Sequence, residues 1–273
     1  MLGKLLKHEF IATGRIFLPL LALVVAISAL TSLVGIIFEA LGILETDFVF
    51  FLVAPLLVLT GFLLVGAIFT VPLVVVAIRF YKGFLGSEGY LMFTLPVTRH
   101  QLVLSKFITA FVWYLATGIV TAAGVTIAVA GWVPSGYFLD SMWIFEGLYD
   151  SLFGPFGIFA EGILVVVLQT ASLLLTTISS ILMVYLAMGL GQLANNYRIV
   201  LSIAAFFGIW FATVIVTAMV TLPITLAETG FLDLYYQQTA TASNVANIIL
   251  TAIFCLVMYF GTVYLLNRRL NLL

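Results

Sequence analysis

Six long apolar stretches dominate this chain, and they restrict it more than any other feature. They are Ile16–Phe38, Phe48–Ile78, Phe107–Trp132, Phe156–Leu190, Ile199–Leu222 and Val245–Leu266. About 20 apolar residues in a helix are enough to cross a bilayer, and each stretch reaches that length. Lipid offers no hydrogen-bond partner to a backbone N–H or C=O. A segment of this length must therefore satisfy its own backbone, and the helix does so. The expected fold is an all-α polytopic membrane protein with six transmembrane helices in one domain spanning residues 1–273.

Composition agrees. Hydrophobic residues make up 64% of the 273 positions and charged residues 8%, where a soluble domain carries about 25% charged residues. Too few charges exist to build a water-facing surface. The ten Lys and Arg residues fall at alternate ends of the stretches. Lys4, Lys7 and Arg15 precede the first. Arg79, Lys82, Arg99 and Lys106 lie around the second connection, Arg198 in the fourth, and Arg268 and Arg269 after the last. All ten therefore share one side, which the positive-inside rule makes cytoplasmic, with both termini. Eight acidic residues fall in the outer connections: Glu39, Glu45, Asp47, Asp140, Glu146, Asp150, Glu228 and Asp233. The first apolar run continues to Phe38, longer than a signal-peptide core of roughly 7–15 residues, so it reads as a retained span.

Two stretches exceed a simple crossing. Phe48–Ile78 and Phe156–Leu190 have 31 and 35 residues, or roughly 46 and 52 Å against a hydrocarbon core of about 30 Å. Pro55 and Pro72 are candidate kinks in the second. Gly189 and Gly191 are candidates to end the fourth. Residues 1–15 read as a separate interfacial helix, with Leu2, Leu5, Leu6 and Phe10 on one face. The outer segment 133–155 carries Tyr137, Phe138, Trp143, Phe145, Tyr149 and Phe153, rings that settle at headgroup level. The outer segment 223–243 is similar, with Phe231, Tyr235 and Tyr236.

Several chemistries find no support. The chain lacks a G-x-x-x-x-G-K-[ST] loop and an H-E-x-x-H motif. Its net charge of −1 implies no nucleic-acid partner. The single cysteine, Cys255, allows neither an intrachain disulfide nor a Cys-based zinc site, and reads as a small buried apolar residue. No nucleophile and base can be assembled within the spans, so the chain is not expected to be an enzyme, and no metal or cofactor is expected in it. Among Asp, Glu, Lys, Arg and His only Glu161 lies well inside a span, near its outer end. A carboxylate reaching to the interface explains it more simply than a transport role. The fourth span places Gln169, Ser172, Thr176 and Ser179 at helical spacing. They are a possible translocation path, although helix–helix packing explains hydroxylated residues more simply. In the third span Gly118/Ala122 and Gly124/Ala128 are small pairs four apart, which suit close packing within the chain or against a second copy.

The connection 79–106 is the most informative. It reads RFYKGFLGSEGYLMFTLPVTRHQLVLSK and presents Tyr90, Leu91, Met92, Phe93 and Leu95 together, where a water-facing loop should be polar. Exposed apolar clusters mark partner surfaces. After Pro96, Thr98-Arg99-His100-Gln101 has the form of a capping box, so a helix should start at Arg99 and run into the third span.

The stretch Glu88-Gly89-Tyr90-Leu91-Met92-Phe93-Thr94-Leu95-Pro96-Val97 resembles the first cytoplasmic loop of ABC-2-type permeases, the membrane subunits of ATP-binding-cassette exporters. Leu5-Leu6-Lys7-His8-Glu9-Phe10, continuing to Gly14-Arg15, resembles the start of such permeases in Gram-positive bacteria. The resemblance implies an elbow helix over 1–15 and a coupling helix near 86–95. The coupling residues would be Glu88, Gly89, Tyr90, Leu91, Met92, Phe93, Leu95 and Pro96. It implies a separate cassette ATPase carrying ATP and Mg, and a second permease copy, identical or related. It places the chain in a bacterial plasma membrane, exporting a lipid, a lipid-linked glycan, a peptide or a drug. The segment 133–155 is longer and more aromatic than this family leads one to expect. An accessory membrane protein, a sensor or an assembly partner, is the alternative with the same hydropathy.

Overall fold

The computed structural model describes residues 2–41, 59–62, 66, 70–85, 98–131, 163–193, 197–229 and 241–268. Almost all of them are helical. In chain order, α1 is Leu2–Ala40 and α2 is the helix over 70–80, which ends in a π turn at Tyr81–Leu85. They are followed by α3 (Arg99–Ala130), α4 (Ile163–Gly191), α5 (Arg198–Thr229) and α6 (Thr241–Arg268). Five of these, α1 and α3 to α6, are long and apolar enough to cross a bilayer, as expected of a multi-pass membrane protein. The second apolar stretch is helical at 59–62 and 70–80, and its other residues lie largely outside those described, Pro55 among them.

The chain divides into two compact units, residues 1–75 with 108–146, and residues 76–107 with 147–273. In the first, α1 and α3 pack as a parallel pair. Trp113 stacks on Phe17, centroids 5.0 Å apart and planes at 6°, and its Nε1–H donates to Thr13 Oγ1 at 2.8 Å. Further along, Gly124 faces Val24 and Ser28, and Gly131 lies against the Ser32 backbone. Side chains at these glycines would collide with α1, so Gly124 serves packing within the chain. Gly118 faces open space. The contacts advance together along both helices, from Thr13 to Ser32 and from Trp113 to Gly131, a rise of about 28 Å. Parallel helices joined in sequence require the connection to return over that length.

The first helix differs from expectation. No break separates residues 1–15 from the span: α1 is continuous over 39 residues, with Pro19 inside it. Proline removes the donor for the carbonyl of Arg15, but one lost bond does not end a helix whose other backbone groups have no alternative partner in an apolar environment. At roughly 58 Å, α1 exceeds the hydrocarbon thickness of about 30 Å, so a long part of it must lie beyond the apolar layer.

In the second unit α4 and α6 are also parallel. Leu175 meets Cys255, Leu186 meets Gly261, and Gly189 meets Leu265. Cys255 is buried, its Sγ 3.8 Å from the Leu175 carbonyl oxygen, in the packing role expected of it. Helix α5 returns between them. The end of α4 meets the start of α5 closely, Gly191 lying directly against Ser202 and the Arg198 carbonyl. Gln192 N–H donates to the Gly189 carbonyl and Leu193 N–H to that of Leu190, closing α4 where its glycines suggested. Helix α5 was expected to end at Leu222. It runs through Pro223 to Thr229 instead, for the reason that holds at Pro19. Ile203, Phe207, Trp210, Phe211 and Val214 of α5 are exposed, a surface suited to acyl chains.

Candidate functional site

Two features of the second unit bear on function, and they lie at opposite ends of it. The first frames the connection between α2 and α3. Helix α3 starts where its sequence signal places it. Thr98 Oγ1 accepts from the Gln101 amide at 3.4 Å, and Gln101 Oε1 accepts from the Thr98 amide at 3.3 Å, the two reciprocal bonds of a capping box. One residue into the helix pair, His100 Nδ1 lies 3.1 Å from the Tyr259 hydroxyl of α6. On the other flank, the π turn Tyr81–Leu85 widens the end of α2. Lys106 of α3 is buried against it, 7% exposed, and a Cβ at Gly83 would collide with its ammonium. Phe80, just before the turn, stacks on Tyr185 of α4 with centroids 4.4 Å apart, both rings fully buried.

Both flanks of residues 86–97 are thus tied to α3, α4 and α6. The coupling residues themselves, Glu88, Gly89, Tyr90, Leu91, Met92, Phe93, Leu95 and Pro96, lie outside the described residues. So do Glu161 and the outer segment 133–155. Arg79, Lys82, Arg99, Lys106 and Arg198 sit near this one end of the unit, at the close of α2 and the starts of α3 and α5.

At the opposite end, α4, α5 and α6 enclose an open cleft of about 390 Å³. Its lining is Gln169 of α4, Thr217, Thr221 and Thr225 of α5, and Ser243, Asn244 and Asn247 of α6. All seven side chains are polar and none is ionisable. Thr217, Thr221 and Thr225 recur every fourth residue and so form one stripe along α5. Thr221 Oγ1 donates to the Thr217 carbonyl and Thr225 Oγ1 to that of Thr221, each at 2.9 Å. The proton of the Thr221 hydroxyl is taken up by the helix, and its oxygen remains as an acceptor. On α6, Asn247 Oδ1 accepts from Thr251 Oγ1 at 3.3 Å, which leaves the Asn247 amide hydrogens as donors.

Of the four residues expected along a path, only Gln169 lines this cleft. Ser172 donates to the Gln169 carbonyl and Thr176 to that of Ser172, each at 2.8 Å, while Ser179 is buried. The residues that complete the cleft, on α5 and α6, were not singled out from the sequence. Their signal was present: a threonine every fourth residue in an otherwise apolar helix, followed by Ser243-Asn244-x-x-Asn247. It was hidden because the three helices are separate in sequence and the boundary at Leu222 divided the stripe.

Comparison with protein-family models, curated proteins and solved structures yields no match.

Proposed function

We propose that this chain is the permease subunit of an ATP-binding-cassette exporter. It would move a lipid, peptide or drug-like substrate across the bacterial plasma membrane, using ATP hydrolysed by a separate subunit. The observation that supports the reading is the fixing of both flanks of residues 86–97. This apolar cytoplasmic loop, with its resemblance to ABC-2-type permeases, is bounded by the π turn at Tyr81–Leu85 and the capped start of α3 at Thr98. A loop that transmits force needs fixed ends. Both flanks are fixed here, by Lys106 against Gly83, by Phe80 on Tyr185, and by His100 with Tyr259. Displacement of the loop by an ATPase would pass directly to α4 and α6.

Helix α4 then links the two ends of the unit. Tyr185 and Gln169 are 16 positions apart, about 24 Å along the axis. Motion at the Phe80–Tyr185 stack would reach the polar cleft as motion of one helix. A second permease copy would complete the pathway.

The test is co-purification of the chain with a cassette ATPase expressed beside it, followed by assay of ATPase activity in lipid. Met92→Asp and Phe93→Asp are each expected to abolish the complex. A complex with full stimulated activity in both variants would refute the docking role. Failure of any cassette ATPase to co-purify with the parent chain would favour the accessory-protein alternative.

A further inference from the structure

We infer that the groove where α1 meets α3 in the first unit holds an anionic phospholipid, its phosphate on Arg15 and an acyl chain against Leu18, Pro19 and Trp113. The groove is open, about 610 Å³ in volume, and these four residues line it together with Phe10, Ile11 and Gly14. Arg15 is the one charged side chain among the seven. It is exposed, and no described residue bonds to its guanidinium. The opposite wall is preformed. Trp113 is stacked on Phe17 and its Nε1–H is held by Thr13, so the ring offers a fixed apolar surface.

Depth along α1 fits a lipid. Arg15 and Glu39 are the charges that bracket the apolar part of this helix, 24 positions apart. That is about 36 Å of helix against a hydrocarbon core of about 30 Å, which sets Arg15 at the edge of the apolar layer. A helical side chain leans toward the helix N-terminus, here the way out of the layer, so Arg15 is placed to meet lipid phosphates. Leu18, on the following turn and exposed, lies with Pro19 at the depth of the first acyl carbons. Trp113 belongs to the residue type that gathers at this interface. Charge selects among lipids. His8 and Lys4, two and three turns further out, share the face of Arg15 and are exposed, and the lysine adds positive charge there. A head group with net negative charge is drawn to such a face, whereas phosphatidylcholine brings a cation of its own. A free phosphate would leave Leu18, Pro19 and Trp113 uncovered, which favours the lipid over a soluble anion. This binding requires no ATPase and does not depend on the transport reading.

The test uses the full chain carrying Leu18→p-benzoylphenylalanine, in phosphatidylcholine nanodiscs with a minor fraction of dioleoylphosphatidylglycerol. Either lipid is tritiated in turn, and the photocrosslinked ratio is compared with the bulk ratio. Phosphatidylglycerol should be enriched about fivefold, the attraction of one arginine at a lipid surface. Ile36→p-benzoylphenylalanine, at an exposed position near the other end of α1, should crosslink the two lipids in their bulk ratio. Arg15→Gln should bring the ratio at position 18 down to bulk, while Arg198→Gln, a basic residue of the second unit, should leave it enriched. Equal ratios at positions 18 and 36 would overturn the inference, and this comparison stands without any charge variant should Arg15→Gln aggregate. Enrichment that persists in a monodisperse Arg15→Gln protein would overturn it too. An equal loss in Arg198→Gln would replace the site by the general field of the basic side. Loss of enrichment when inorganic phosphate replaces chloride at equal ionic strength would assign the groove to a free anion and overturn the lipid.

Discussion

Replacing Thr98 by alanine should loosen the first turn of α3 without unfolding the chain. The structure sets the size of the effect. N-cap threonine to alanine costs about 0.5–2 kcal/mol. Both capping bonds here are long, 3.3 and 3.4 Å, beyond the usual N–H···O range of about 2.7–3.2 Å, and both are solvent-exposed. The lower part of the range therefore applies, about 0.5–1 kcal/mol, or a two- to fivefold change in a local opening equilibrium. The Leu102 amide bonds to the Thr98 carbonyl, 3.2 Å away, so it should feel the same loss. Hydrogen exchange followed by mass spectrometry reads this directly, because amides near a helix end exchange through local opening. Peptides covering Gln101 to Val103 should exchange about two- to fivefold faster in Thr98→Ala. Peptides from α6 should be unchanged. Thr98→Ser keeps the hydroxyl and should restore protection. Equal exchange in the parent and alanine proteins would refute the cap as an anchor of the loop, and so would failure of serine to restore it. If residues 86–97 transmit force, the alanine variant should also reduce stimulated ATPase activity while leaving the complex intact.

Other perturbations separate close packing from open positions. Gly191→Ala places a methyl against Ser202 and the Arg198 carbonyl, and should destabilise the chain by about 1–3 kcal/mol in thermal unfolding in lipid. Gly118→Ala meets nothing within 4 Å and should be neutral or stabilising by up to about 1 kcal/mol. Equal midpoints for the two variants would contradict the α4–α5 contact. Tyr185→Ala empties a fully buried stack on Phe80 and should cost about 3–5 kcal/mol, whereas Tyr185→Phe keeps the ring and should cost less. Trp113→Phe removes the 2.8 Å bond to Thr13 and should cost about 0.5–1.5 kcal/mol. The threonine hydroxyl retains its own bond to the Glu9 carbonyl, which keeps the loss small. A larger destabilisation than for Tyr185→Ala would refute this ordering.

The local features were legible in the residues because they depend on near neighbours. The capping box needs only Thr98 and Gln101, three positions apart, and α3 starts there. The end of α4 at Gly191 was likewise signalled by glycine. One boundary was misjudged at a proline: Pro223 lies inside a helix expected to end before it. At Pro19, inside the expected span, the helix likewise runs on unbroken. Proline's penalty reflects a lost hydrogen bond that water would replace. In an apolar helix the neighbouring backbone has no better partner, and the helix continues.

The resemblance at Glu88–Val97 is a property of the sequence alone, since those residues lie outside the described structure. What only the tertiary structure decided is which polar residues meet. On α4, Gln169, Ser172, Thr176 and Ser179 share spacing, but of these only Gln169 lines the cleft, and Ser179 is buried. Gln169 finds its partners on α5 and α6 instead, from 48 to 78 positions further along the chain. Hydropathy establishes that the helices sit in an apolar medium, because burial of backbone polar groups there leaves no alternative. It carries no information about helix rotation. Rotation is set by small contacts such as Gly261 on Leu186 and Gly191 on Ser202, and these contacts determine that three polar faces turn toward one another.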